Sequence, residues 1–138
     1  MQDALKIILE KLSDVKFALV GSFNLQTQGI DLTVHDLDLL TDDEGLEKIV
    51  EIFASRINDF GPYKSTGFML AGTEVQAVSN TGNPIRLPDF KKYIVLVEKD
   101  GLKVPCMSLE SELYFYTNAG REKDKLKAGL IKEKMNKN

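Results

Sequence analysis

Tryptophan is absent from this chain of 138 residues, and cysteine and histidine occur once each, as Cys106 and His35. A lone cysteine cannot close an internal disulfide. Cys106 follows Pro105 in an apolar context, so it reads as a packing residue rather than a nucleophile. Long hydrophobic runs are also missing: none approaches the ~20 residues that a membrane-spanning helix needs. The opening Met1 to Leu12 is amphipathic, not a basic head followed by an apolar block, so no signal peptide is expected and the expected location is cytoplasmic. No repeat, low-complexity segment or linker marks a second domain. With 43% hydrophobic and 28% charged residues, the expectation is one globular domain over residues 1–138 with one core.

Basic charge is scarce over most of the length. The formal net charge is −3, yet from Arg121 onward seven Lys or Arg face three acids, which leaves −7 for residues 1–120. Between Asp31 and Glu51 there are eight acidic side chains and one lysine. Such a face repels a bare polyanion, so electrostatic nucleic-acid binding there is not expected. The basic tail reads as a solvated helix face or a contact for phosphate or an acidic partner.

What is present concentrates between Phe17 and Glu51. The apolar run Phe17 to Val20 stops at Gly21-Ser22, and a segment able to start a helix at Ser22 follows. A strand-to-helix corner leaves unpaired N–H groups, and a glycine lets an anion approach them, so it suits a phosphate; taken alone, a Gly-Ser pair is usually only a turn. Fourteen residues on comes Asp36-Leu37-Asp38-Leu39-Leu40. In a strand, residues i and i+2 share a face, so Asp36 and Asp38 stand side by side while Leu37 and Leu39 bury the other face. Two neighbouring carboxylates repel unless a cation compensates, and Mg²⁺ or Mn²⁺ held by carboxylates plus substrate phosphate oxygens is the obvious one; a solvated strand end is the alternative. His35 is expected on the opposite side of the strand from Asp36 if the strand extends that far, and reads as structural. Asp31 reads as a turn residue.

The remaining elements surround this stretch. Leu5, Ile8, Leu9 and Leu12 form an apolar helical stripe. Val15 to Val20 is expected to be the first strand, and Gly29 stops the short helix after it. Thr41 with Glu44 makes a Thr-x-x-Glu capping box for a helix whose stripe runs from Leu46 to Ile57. Asn58 to Ser65 reads as a connection, and Phe68 to Ala71 with Glu74 to Ser79 as a hairpin. Ser79 to Pro88 is a loop, either a surface excursion or a flap touching substrate. Tyr93 to Val97 and Leu102 to Cys106 flank Asp100-Gly101, a two-residue hairpin signal. Ser108 caps a helix through Ala119, Gly120 breaks it, and a basic helix follows over 121–135.

Gly21-Ser22, Gln28-Gly29-Ile30 and Val34-His35-Asp36-Leu37-Asp38-Leu39 together resemble the nucleotidyltransferase superfamily, in particular its small single-domain members. The match is close over residues 17–53, and the order of later elements fits to about residue 126. The resemblance implies an α+β fold, a mixed sheet with helices packed on one face. It implies Gly21 and Ser22 at the phosphates of a nucleoside triphosphate, Asp36 and Asp38 at divalent metal, and basic residues after Gly120, Lys123 among them with Arg121 and Asp124 beside it, near the nucleotide. The family's third carboxylate, on a neighbouring strand, falls at Gln76, with Glu74 as the substitute if the register shifts. Glutamine offers a neutral oxygen and cannot take a proton from an acceptor. Two functions therefore stay open: a metal-dependent transferase that passes a nucleoside monophosphate to an acceptor, and a catalytically impaired binding protein of the same fold, antitoxin-like or dependent on a partner. A bland α/β domain with an acidic surface strand is the third. Against larger transferases of that family, no further helical domain that positions the acceptor is expected, so the resemblance implies a small acceptor or a surface supplied by a protein partner.

Overall fold

The computed structural model describes residues 1–59 and 61–137; Phe60, within the expected connection 58–65, lies outside the described residues. Helix α1 (Gln2–Lys11) leads to β1 (Ala18–Val20), which turns directly into α2 (Gly21–Thr27). Then come β2 (Asp36–Thr41), α3 (Asp43–Phe53), β3 (Ser65–Leu70) and β4 (Thr73–Ser79). A single 3-10 turn (Phe90–Tyr93) precedes β5 (Ile94–Lys99), β6 (Leu102–Met107), α4 (Leu109–Ala119) and α5 (Glu122–Asn136). The strands form one mixed sheet in the order β3-β4-β2-β1-β6-β5. The β2/β4 and β1/β6 pairs are parallel and the others antiparallel. No helix among the described residues is long and apolar enough to cross a membrane.

Alternation decides which face each side chain takes. Leu19, Leu37, Leu39, Val75, Ala77, Val104 and Cys106 are buried on one face, against Leu5 and Ile8 of α1, Phe23 of α2 and Leu46 and Ile49 of α3. This is the expected α+β arrangement. Burial pushes the Cys106 thiol up to about 12, the property of a packing residue and not of a thiolate. On the other face Ala18, Val20, Leu40 and Met107 meet Phe90 of the 3-10 turn. A third cluster, Leu25, Ile30, Tyr116, Ala128 and Ile131, joins α2 to α4 and α5.

Four expectations need correction. The first strand starts at Ala18, not Val15, because Val15 N–H turns back to the Leu12 carbonyl and the Lys16 carbonyl accepts from the Thr41 hydroxyl rather than from a ladder partner. The α2 helix starts at Gly21, one residue earlier than expected, and Gly29 follows its end at φ +96°. The helix after β2 is capped by Asp42, whose Oδ1 accepts from the Gly45 N–H at 2.8 Å, instead of by a Thr41/Glu44 box, since Thr41 is spent on Lys16. That helix ends at Ala54 in a left-handed conformation rather than running to Ile57. Both hairpins stand, the first turning at Ala71-Gly72 rather than at the expected Gly72-Thr73, because Thr73 already belongs to β4; Ala71-Gly72 and Asp100-Gly101 have positive φ at both turn residues, the pattern of a two-residue type I′ connection.

The Asp42 cap gives a measurable consequence. Burial opposes its charge, but the Gly45 N–H and the Lys91 ammonium at 3.2 Å hold the carboxyl below its usual range. A depressed carboxyl stabilises the fold above its unfolded value and loses that effect as pH falls. Asp42→Ala is expected to cost about 1 kcal/mol in urea unfolding at pH 7, with the difference from wild type shrinking below pH ~4.

Candidate functional site

The parallel β2/β4 register sets Asp36 opposite Glu74 and Asp38 opposite Gln76, and β1 sets Val20 beside Asp38. In-register residues of paired strands share a face, so Asp36, Asp38, Glu74 and Gln76 all project from the face opposite Leu37 and Leu39. A cleft of about 360 Å³ opens there. The corner and sheet contribute Gly21, Ser22, Asp36, Asp38, Gln76 and Val78. Connections contribute Tyr63, Asn83 and Arg86. Helices α4 and α5 and their junction contribute Phe115, Tyr116, Arg121, Lys123, Asp124 and Lys127. Glu74 is exposed and is not part of the lining, whereas Gln76 is. His35 is exposed, precedes β2 and stays outside the cleft, as does Asp31.

Asp38 is under electrostatic stress. Burial, then the charge of Asp36, pushes its carboxyl from 3.8 up to about 6, while the Lys127 ammonium works in the other direction. Its Oδ1 is buried and has no hydrogen-bond partner. A buried acceptor left unsatisfied beside a second carboxylate fits an oxygen-seeking divalent cation. Among the described residues no group of three or more His, Cys, Asp or Glu side chains is assembled for metal. Two carboxylates therefore need oxygens from elsewhere, and a bound phosphate chain offers them.

Gly21 adopts φ +76°, and a Cβ there would sit 2.9 Å from Asp38 Oδ2. Only glycine lets the corner take this conformation so close to the carboxylate. Gly21→Ala is expected to destabilise the fold by about 1–2 kcal/mol from the positive φ alone and to displace Asp38. Urea unfolding checks the first effect and Mn²⁺ titration the second. The Gly21 N–H itself donates to Glu112 Oε2 at 2.8 Å, so it is already engaged. The first N–H groups of an α-helix lack intrahelical acceptors, so the donors of the turn after Gly21, together with the Ser22 hydroxyl, are what the corner can offer an anion.

Behind the corner lies a layer that sequence reasoning missed. Glu112, fully buried in α4, accepts from Gly21 N–H and Asn24 Nδ2 on one oxygen and from the Arg86 guanidinium at 3.0 Å on the other. The guanidinium carbon of Arg86 stands 4.1 Å from the Phe115 ring centroid. At the start of α5, Asp124 accepts from the Arg121 backbone N–H at 3.2 Å and from its guanidinium at 2.6 and 3.2 Å. Burial opposes the Asp124 charge, but these bonds hold its carboxyl below the usual range. Arg121 and Asp124 thus spend each other as a helix cap, while Lys123 and Lys127, one turn apart, both line the cleft. The one signal that the sequence offered was Lys127, four residues after Lys123 and so on the same helix face.

No protein-family model and no curated protein matches the sequence. Solved structures do. The chain resembles a "putative nucleotidyltransferase" (TM1012) from Thermotoga maritima with 28% identity and a TM-score of 0.71, over 97% of this chain and 91% of that one. It also resembles ANT(2″)-Ia in complex with adenylyl-2″-tobramycin, with 14% identity, a TM-score of 0.62 and coverage of 98% and 90%. A solution structure of the antibiotic-resistance factor ANT(2″)-Ia matches with 16% identity and a TM-score of 0.58, over 97% and 84%. The six-stranded mixed sheet and these likenesses show that the chain has the α+β nucleotidyltransferase fold and resembles a small nucleotidyltransferase-like member.

Proposed function

We propose that the cleft binds a nucleoside triphosphate with Mg²⁺ or Mn²⁺ and transfers its nucleoside monophosphate to a small acceptor or one presented by a partner protein. The observation that carries this reading is the orphaned, buried Oδ1 of Asp38 beside Asp36, facing Ser22, Lys123 and Lys127 across one cleft. Acidic and basic walls suit a ligand of mixed character, a polyphosphate with its cation, better than either ion alone. Asp36 and Asp38 would hold the metal, which when bound neutralises the phosphates and the oxygens of an in-line displacement. Ser22 and the N–H groups after Gly21 orient the phosphate chain, and Lys123 and Lys127 bring positive charge to the same cleft. An adenylyl group on tobramycin, as found with ANT(2″)-Ia, is the kind of small-acceptor product this reading expects.

One observation favours the second reading, a binding protein of the same fold with impaired catalysis. The residue opposite Asp38 is Gln76, and Glu74 stands outside the cleft. Incubation with a panel of α-labelled nucleoside triphosphates and Mn²⁺, alongside calorimetry of triphosphate binding, tests both. Binding with label transfer supports the enzyme, and binding without transfer the impaired protein. If neither a triphosphate nor Mn²⁺ binds, both readings fall.

A further inference from the structure

The Arg86–Glu112 pair lies deep against the cleft without belonging to the carboxylate pair or the basic helix face. Arg86 is 8% exposed and Glu112 0%. Withdrawing two charges from water costs several kcal/mol each, which their attraction offsets only with excellent geometry and full hydrogen bonding. Here the carboxylate is fully used: one oxygen takes Gly21 N–H and Asn24 Nδ2, the other takes Arg86. Asn24 is in turn held by Gln28 Nε2 at 2.8 Å and by the Met107 carbonyl at 3.0 Å. The loop that carries Arg86 is likewise fixed, with Asn80 N–H on the Thr41 carbonyl at 2.7 Å and Asn80 Nδ2 on the Leu87 carbonyl at 3.1 Å. Glu112 therefore bridges two chain segments, the corner pressed against Asp38 through hydrogen bonds and the loop whose Arg86 also lines the cleft through an ion pair.

We propose that Glu112 is a positioning residue of this site, and that with Arg86 it couples the 79–88 loop to the Gly21 corner so that the loop wall and the Asp38 surroundings are set together. The proposal rests on the triphosphate reading given above. Its chemistry requires a carboxylate and not merely a side chain of that shape. An amide presents one acceptor and one donor group, so Glu112→Gln aims an NH₂ at either the Gly21 N–H or the Arg86 guanidinium, a donor against a donor. Arg86→Met keeps the contact with Phe115 but leaves the Glu112 charge buried and unpaired. Arg86→Lys keeps the charge and loses the planar fork.

The test uses the full chain and two readouts. In the free protein, amide hydrogen exchange of Gly21 and of residues 80–87 is followed in wild type, Glu112→Gln, Arg86→Met and Arg86→Lys. Arg86→Met is expected to speed exchange at Gly21 at least tenfold, although the Gly21 N–H is bonded to Glu112 and not to residue 86. Glu112→Gln should loosen both segments, and Arg86→Lys should recover most of the protection. Calorimetry with ATP and Mn²⁺ should show affinity at least tenfold weaker in Glu112→Gln and Arg86→Met. The double variant should be no weaker than the weaker single variant, as expected of residues acting as one unit. Unchanged Gly21 exchange in Arg86→Met overturns the coupling, as does wild-type affinity in loosened variants. Absence of ATP binding in wild type is a different failure: it removes the triphosphate reading and the positioning role with it. If Glu112→Gln does not fold, the Arg86→Met and Arg86→Lys pair decides the matter alone.

Discussion

Asp38→Asn is expected to lower triphosphate-dependent Mn²⁺ binding and any transfer activity at least about 100-fold, while making the metal-free protein more stable at neutral pH. Loss of residues that only support a metal's ligands commonly costs 10–100-fold, so loss of a direct ligand should cost no less. The stability gain follows from the carboxyl, which burial and Asp36 push from 3.8 to about 6. The folded state holds this proton more tightly than the unfolded chain, so between pH ~4 and 6 the folded state binds more protons and stability falls as pH rises. Above pH 6 the full cost of the charged, buried group is present. A displacement of this size corresponds to about 3 kcal/mol, and the partial exposure of Asp38 lowers the expected gain to about 1–2 kcal/mol. Urea unfolding of wild type and Asp38→Asn at pH 4 and pH 8, without metal, measures it. The two proteins should differ at pH 8 and converge at pH 4. Equal stability at pH 8 would show that Asp38 is not strained by its surroundings.

This trade of stability against binding fits the part of the site that was legible in the sequence. Gly21, Ser22, Asp36 and Asp38 are read from local pattern because each sits on a strand or at its end, where alternation and a glycine break fix direction. The third-strand position was legible as well. The hairpin signal at Gly72-Thr73 placed β4, within one residue of the turn that forms at Ala71-Gly72, and the parallel pairing of β4 puts Gln76, not Glu74, beside Asp38. Arg86 and Glu112 were not legible. They lie 26 positions apart, and Glu112 lies 91 positions from Gly21, so only the packing of α4 against the corner brings them together. Nor does periodicity separate an apolar stripe from one interrupted by a buried glutamate. Helix ends were misread for a related reason. Thr41 has the composition of a cap, but its hydroxyl is drawn to Lys16 by tertiary pairing, and Asp42 takes the capping role instead.

Gln76→Asp is expected to have the opposite sign from Asp38→Asn in both measurements. Two divalent cations about 3.5–4 Å apart repel strongly, and carboxylates around them make double occupancy tolerable. Wild type offers Asp36 and Asp38 within the cleft and a neutral amide at residue 76. One cation should therefore bind well with nucleotide and a second poorly, leaving transfer slow or absent. An anion at 76, in register with Asp38, should tighten the second Mn²⁺ by at least tenfold, since one added charge ~4 Å away contributes up to about 4 kcal/mol at an effective dielectric near 20. Transfer or triphosphate hydrolysis should rise with it. Without metal the same substitution places a further like charge beside Asp38, so the free protein should lose about 1–2 kcal/mol above pH 6 and recover it when Mn²⁺ and nucleotide are added. Glu74→Gln should change little, because Glu74 faces solvent outside the cleft. Mn²⁺ titration in the presence of a non-hydrolysable triphosphate, followed by unfolding with and without ligand, separates these effects. A fast wild-type reaction that survives Glu74→Gln and gains nothing from Gln76→Asp would show that this chain needs no third carboxylate, because phosphate oxygens of the substrate already balance the second cation.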